Sequence, residues 1–528
     1  MWLFSQISYL FIMDILSNMH IPVLFDDVPE SDIILRYTFP SYKIEVANAL
    51  INNTFPGTFN FGVATSAYQT EGAWNVDGKE ESVWDRMTHE HPRLIADRSN
   101  ADVATDSYHN YKRDIQMAKQ IGSKMYKISL SWTRILSKNK YLFVNPKGIQ
   151  YYNNVIDEII ANGMTPIVTL FHWDLPNSLQ QLGGLSNPLI IDFLVEYAIV
   201  AFIAFGDRVK FWVSINEPSI VCQYGYGSDR MIPALNQSGK ADYICAHNLL
   251  LAHAEIYSAY QKRYRPIQNG EVGIVLNLKW FVPEDPKSMA DNLAAERAFQ
   301  WWNGWFLNPL FSEKGDYPEM MKRKISELSA SQGFLYSRLP VFEWFDIQQI
   351  QKTADFLGIS YTSATLVRAS KGDTNETSFW NDAEVEEVPD KWPGESYVKD
   401  TPWAFGKLLK RIDLYYQLPP IIITENGYLD NGKIRDVARC AYHHGHLSTL
   451  LQAMENGIDI RGYLVRSFFD SFEWMLGYTV KNGIYSVNFT DVNRTRHPKL
   501  SATVINDIYK RRFIQPLSKI LNPKVKKL

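Results

Sequence analysis

With 528 residues, 46 % of them apolar and 21 % charged, the chain has the make-up of a globular protein with a large core. A net charge of −3 argues against an electrostatic nucleic-acid binder, and no apolar run is long enough to span a bilayer. The 15 Trp, 29 Tyr and 28 Phe suit a carbohydrate or other flat-faced ligand, although a big core absorbs them equally well.

Residues 1–54 show no period and no repeat, and are read as an N-terminal extension, a signal or pro-segment. Residues 1–12 are apolar but lack the basic start of a signal peptide, and Asp14 follows closely. From Phe55 onward, short runs rich in Val, Ile and Phe alternate with helical stretches. Strands are predicted over 61–67, 125–131, 166–171 and 211–215, then over 272–278, 356–359, 421–423 and 462–468. Gly122, Gly163 and Gly206 stop the helical periods between the early strands. Eight strands alternating with helices predict an α/β fold, a single (β/α)8 barrel over residues 55–514. Residues 515–528 read as a basic C-terminal tail, and the long segment 279–355 as the place where insertions would build a lid.

Chemistry in such a barrel sits at the carboxyl ends of the strands. The fourth strand ends Ile215-Asn216-Glu217-Pro218 and the seventh Ile423-Thr424-Glu425-Asn426-Gly427. A buried carboxylate is costly without a partner; alone, Glu425 reads equally well as an exposed residue at a strand terminus. Two carboxylates facing each other across the barrel mouth change that balance. They suit glycoside hydrolysis, in which one acid protonates the leaving oxygen and the other acts from the opposite face of the sugar. Other strand ends add Gln69-Thr70-Glu71, His172-Trp173-Asp174 and Phe472-Glu473-Trp474. Polar groups beside Trp suit a pyranose, with its hydroxyls and its apolar C–H face. No His, Cys, Asp or Glu group has metal-ligand spacing.

Five motifs carry a resemblance: Tyr68-Gln69-Thr70-Glu71-Gly72-Ala73-Trp74, Phe171-His172-Trp173-Asp174-Leu175-Pro176, Ile215-Asn216-Glu217-Pro218, Ile423-Thr424-Glu425-Asn426-Gly427 and Phe472-Glu473-Trp474. In this order the chain resembles glycoside hydrolase family 1, the β-glucosidase-like (β/α)8 enzymes, and within it insect β-glucosidases and myrosinases. The resemblance implies that Glu425 is the nucleophile forming a covalent glycosyl-enzyme and Glu217 the acid/base, with Asn216 on the sugar 2-hydroxyl. It implies that Gln69, His172, Trp173, Glu473 and Trp474 hold the glycone of a small β-glycoside or oligosaccharide, with no cofactor and no metal. Plant myrosinases carry Gln at the acid/base position, so Glu217 leaves only the insect type; the intact Glu473-Trp474 separates the chain from the phosphoglycosidase branch.

Three departures fall around one sugar subsite. Lys127 stands where the family has Arg, replacing a planar fork with a flexible point donor. Arg466 stands where the family has the Trp platform, either facing the sugar or turned to pair with a carboxylate such as Glu473. After the sixth strand, an ungapped alignment places Ser360 and Thr362 where the family has Asn and Tyr, whereas a one-residue deletion places Tyr361 at the Tyr. A deletion would reverse which face each side chain takes. Leu185 for Trp and Asn482 for Phe are smaller changes. Two readings follow: a retaining β-glucosidase-like hydrolase with shifted preference, or a barrel of this family with weak hydrolysis, acting as a transglycosylase, a binder or in other chemistry. Cys222, Cys245 and Cys440 allow one bridge at most and are read as three core thiols. Sequons at Asn52, Asn236, Asn375, Asn488 and Asn493 favour a secreted glycoprotein; monomer and homodimer both stay open.

Overall fold

The computed structural model of the protein describes residues 54–518 apart from 138–142, 373–374, 391 and 393–397. The expected extension, all but Thr54, and most of the expected tail lie outside the described residues, as does Asn52. Eight parallel strands close into a barrel. They are β1 (Asn60–Ala64), β2 (Met125–Ser129), β3 (Thr165–Phe171), β4 (Phe211–Asn216), β5 (Glu271–Asn277), β6 (Leu357–Tyr361), β7 (Ile421–Asn426) and β8 (Ile460–Val465). Each pairs with its neighbours in sequence, and β8 closes onto β1. Every predicted strand is present. The first stops at Ala64 because Ala67–Thr70 coils into a helical turn, and the eighth stops at Val465.

The barrel interior is a packed layer drawn from every strand or its entrance. Ala64, Met125, Ile167, Val213, Val275, Phe356, Ile422 and Leu464 form one cluster, none more than 3 % exposed. Filling the barrel with branched and aromatic side chains makes it a solid core rather than a pore, so ligands can enter only above it. Glu217 and Glu425 follow Val213 and Ile422 along β4 and β7, on top of this layer.

The outer helices follow local rules. α1 (Pro146–Ala161) starts with Pro at its first turn, and the Asn145 side chain accepts from the Lys147 N–H. α2 (Ile190–Phe205) buries Leu194, Tyr197, Ala198, Ala201, Phe202 and Phe205, the stripe that a 3.6-residue period lays on one face. Segment 279–355 folds mainly into helices, Met289–Phe299, Trp305–Phe311, Glu319–Ser331 and Trp344–Ile350. Its strand Phe281–Pro283 joins Thr365–Ala369 and Val385–Val388 in a small separate sheet.

One expectation is corrected here. Cys222 and Cys245 form a disulfide with Cα atoms 5.5 Å apart, leaving only the buried Cys440 as a thiol among the described residues. The turn Val221–Gly227 after Glu217 folds back onto α3 (Ala241–Ala259), which brings together two cysteines that sequence spacing gave no reason to pair. No helix among the described residues is long and apolar enough to cross a membrane.

Candidate active site

Both carboxylate-bearing strands break register just before their Glu. The β4–β5 pairing shifts between Val213 and Asn216, and β7 shifts against both neighbours between Ile423 and Asn426. Irregularities of this kind re-aim the side chain that follows. Three site residues other than glycine sit in the left-handed region, Trp173 at φ 72°, Glu217 at 47° and Trp474 at 53°. Backbone held there costs of order 1–3 kcal/mol per residue and gathers where geometry serves function. Gly427 is required by close approach, since a Cβ on it would lie 1.5 Å from the Arg466 carbonyl oxygen. The exits of β7 and β8 are therefore pressed together, with Glu425 on one and Arg466 on the other.

Oxygens of Glu217 and Glu425 and a ring nitrogen of His172 lie within 4.8 Å of one another. Carboxyl oxygens this close are compatible with the ~5–5.5 Å carboxyl separation of retaining glycosidases. The two carboxyls are both buried but tuned apart. For Glu217, burial and then the neighbouring Glu425 charge push the pKa up, opposed by Arg466 and by hydrogen bonds from Ser360 and Asn277. For Glu425, burial pushes the same way, yet the Lys127 and Arg466 charges outweigh it and bring the carboxyl down to about 2. Glu217 is thus suited to hold a proton while Glu425 stays ionised, the division an acid and a nucleophile need.

The two cations divide the Glu425 carboxylate between them. Lys127 Nζ donates to Glu425 Oε1 at 2.6 Å and to Asn216 Oδ1 at 2.9 Å. Arg466 Nε lies 2.9 Å from Glu425 Oε2, its Nη2 donates to Gln69 Oε1 at 2.9 Å, and the same nitrogen is 3.9 Å from Glu473. Asn216 Nδ2 donates to His172 Nε2 at 3.3 Å, which places the ring proton on Nδ1, and burial keeps His172 well below its ordinary pKa and neutral. His172, Glu217 and Glu425 converge with metal-like geometry that linear spacing hides, but the charge an ion would bring to Glu425 is already supplied by Lys127 and Arg466.

A cavity of about 260 Å³ opens above the pair, lined by Glu217, Glu425, Glu473, Arg466, Trp173 and Trp474 among others. Gln69, His172, Asn216 and Lys127 stand behind this wall, their polar atoms engaged by protein except His172 Nδ1, which is buried without a partner. Gln69 accepts from Ser66 as well as Arg466, and donates to the Phe472 carbonyl. The apolar lining of the cavity includes Ile220, Met231, Leu429, Met475 and Leu476, and no residue of segment 279–355 lines it.

The sixth strand decides between the two alignments. Ser360 and Thr362 line the cavity, whereas Tyr361 points outward, stacks on Phe405 with ring centroids 4.4 Å apart and places its hydroxyl against Thr401. Tyr361 is therefore corrected from a sugar-site residue to a packing residue, because β6 keeps its alternation without a deletion. Arg466 takes neither expected course alone, since it faces the cavity and pairs chiefly with Glu425 rather than Glu473. Asn482 lines the cavity beside Gly427, while Leu185 is buried away from it. Asn277 was missed. It ends β5 and its Nδ2 donates to Glu217 Oε1 at 2.9 Å. A polar residue at a barrel strand's carboxyl end was the available signal.

The glycosyl hydrolase family 1 model matches residues 51–513. Myrosinase 1 of Brevicoryne brassicae is 41 % identical over 459 residues, 86 % of this chain and 98 % of that protein. The cytosolic beta-glucosidase of Homo sapiens is 38 % identical over 452 residues, 85 % of this chain and 96 % of its own. Among solved structures, an aphid myrosinase superposes with a TM-score of 0.81 at 39 % identity, covering 87 % of this chain and 99 % of its own. A rice beta-glucosidase gives 0.80 at 34 % identity, covering 86 % and 98 %.

Proposed function

The chain belongs to glycosyl hydrolase family 1 and is a glycosidase acting on O-glycosyl compounds, and from that premise we propose that it is a retaining β-glycosidase with a displaced substrate preference. The observation that carries the retaining mechanism is the Glu217–Glu425 pair, close enough for direct attack and tuned in opposite directions. Glu425 attacks the anomeric carbon while Glu217 gives its proton to the departing oxygen. Water then enters, Glu217 takes its proton, and the glycosyl–Glu425 ester is broken.

Displacement of preference rests on Arg466. It occupies one oxygen of Glu425 and covers Gln69, which the family resemblance assigns to the sugar hydroxyls. A plain glucoside has to dislodge it, so Arg466→Trp raises turnover of simple aryl β-glucosides. The same contact favours the second reading, a barrel with weak hydrolysis of ordinary glycosides. Four exposed sequon asparagines, Asn236, Asn375, Asn488 and Asn493, and the Cys222–Cys245 disulfide support a secreted glycoprotein. The mechanism is tested by incubation with a 2-deoxy-2-fluoro glycosyl fluoride followed by peptide mass analysis. A single glycosyl adduct on Glu425 is expected; no adduct, or one elsewhere, removes the retaining reading.

A further inference from the structure

We propose that Arg466 is a specificity-determining residue that recognises a carboxylate on the glycone, making a β-linked uronic acid rather than a neutral hexose the preferred sugar. This rests on the retaining reading above and extends it to the substrate class.

Three observations carry it. First, the guanidinium is in the glycone site and not merely near it, because it lines the cavity while touching Glu425, Gln69 and Glu473 from one position. It is 18 % exposed, and that exposed part faces the cavity. Second, the neutral-sugar apparatus is covered. The Gln69 carbonyl oxygen already accepts from both Ser66 and Arg466, so a hydroxyl gains a partner there only after the guanidinium moves.

Third, the charges leave room for one anion. Lys127 and Arg466 bring two positive charges to a site in which Glu425 is the firmly ionised carboxylate. Glu217 and Glu473 both have their pKa raised by burial, the second against Arg466 and a Ser471 hydrogen bond, so burial opposes further negative charge from the protein there. A ligand carboxylate placed on Arg466 supplies the second negative charge to match the two cations. Arginine's fork matches a carboxylate in two parallel bonds, which a sugar hydroxyl cannot do. The exchange also draws the guanidinium off Glu425 Oε2, freeing that oxygen for attack on the anomeric carbon. A neutral glycone offers nothing to compensate that loss.

The test measures kcat/KM for 4-nitrophenyl β-D-glucuronide and β-D-glucoside in the full chain and in Arg466→Met. The natural protein is expected to favour the glucuronide by about tenfold to a hundredfold, the weight of one hydrogen bond between charged groups. Arg466→Met should abolish or reverse that ratio. A natural protein that prefers the glucoside, or a ratio unmoved in the variant, overturns the proposal. Should the variant fail to fold, labelling rates of the natural protein with 2-deoxy-2-fluoro glucuronosyl and glucosyl fluorides decide instead. Faster Glu425 labelling by the glucuronosyl reagent supports the inference. Equal or faster labelling by the glucosyl reagent sinks the inference alone, and labelling by neither removes the retaining reading beneath it.

Discussion

The ends of β4 and β7 carry the same two residues in opposite order, Asn216-Glu217 and Glu425-Asn426, and the structure uses them oppositely. Glu217 is 5 % exposed and Glu425 3 %, so burial does not separate them. What separates them is the company each keeps. Glu425 has a cation on each oxygen, while Glu217 has the uncharged donors Asn216, Asn277 and Ser360 and faces the Glu425 charge. The asparagines divide as well. Asn216 turns into the site toward Lys127 and His172, whereas Asn426 is held outward by Tyr361, Tyr442 and Tyr463. Identical side chains at equivalent strand ends are thus tuned in opposite directions, because the paired cations sit on Glu425.

The largest effect that could break this contrast comes from exchanging the carboxyls themselves. Glu425→Gln should lower kcat/KM by about ten-thousandfold or more on every substrate, since no covalent ester can form. Glu217→Gln should lower it by about a hundredfold to ten-thousandfold on poor leaving groups. On a 2,4-dinitrophenyl glycoside, whose departing oxygen needs no proton, the first step should be nearly spared. Steady-state rates with both leaving groups in both variants separate the roles. If Glu217→Gln loses as much on the activated substrate, the acid assignment is wrong.

A smaller effect follows from removing one cation. Lys127→Met leaves Glu425 with Arg466 alone, so the Glu425 pKa should climb from about 2 and the acid limb of the pH–rate profile should move upward. The expected fall in kcat/KM at the optimum is about tenfold to a hundredfold, one hydrogen bond between charged groups. The stability signs differ at the two ends. Glu425, with a depressed folded pKa, contributes stability above its ordinary value of 4.5 that is lost as pH falls toward 2. Glu217, with a raised folded pKa, contributes stability fully present below 4.5 that is lost as pH rises through its folded value. In Lys127→Met the loss of denaturation free energy between pH 4.5 and 2 should shrink; an unchanged acid profile would show that Lys127 does not set the Glu425 charge.

The barrel and both carboxylates were legible in the sequence because they depend on local pattern. β-branched runs at strand spacing predict the eight strands, and Glu beside Asn at two strand ends marks the mouth. The tuning was not legible, because it depends on reach across the barrel. That Arg466 would meet Glu425 requires knowing that β7 and β8 exit in contact, a consequence of Gly427 lying against the Arg466 carbonyl. The Cys222–Cys245 bridge likewise depends on a turn folding back onto a helix. The side of the strand taken by Tyr361 depends on whether β6 keeps its register, and here period-two alternation across Ser360, Tyr361 and Thr362 was the right guide.

The finest probe of the contrast between the two strand ends is Asn277. Its Nδ2 donates to Glu217 Oε1 and thereby favours the ionised carboxylate, one of the few influences holding the Glu217 pKa down. Asn277→Ala removes that donor and leaves burial and the Glu425 charge less opposed, so the Glu217 pKa should rise further. The basic limb of the pH–rate profile should then move to higher pH by less than about one unit, because a single neutral hydrogen bond is worth about 1 kcal/mol. Below that limb the acid is already protonated in either protein, so kcat/KM should change less than about threefold. The bond from the Trp302 indole Nε1 to the Asn277 backbone carbonyl survives the substitution, although its second bond, to Oδ1, is lost. A basic limb that stays put, or moves to lower pH, would mean that Asn277 does not act on Glu217. The opposed tuning of the two carboxyls would then rest on charge, burial and the remaining donors Ser360 and Asn216.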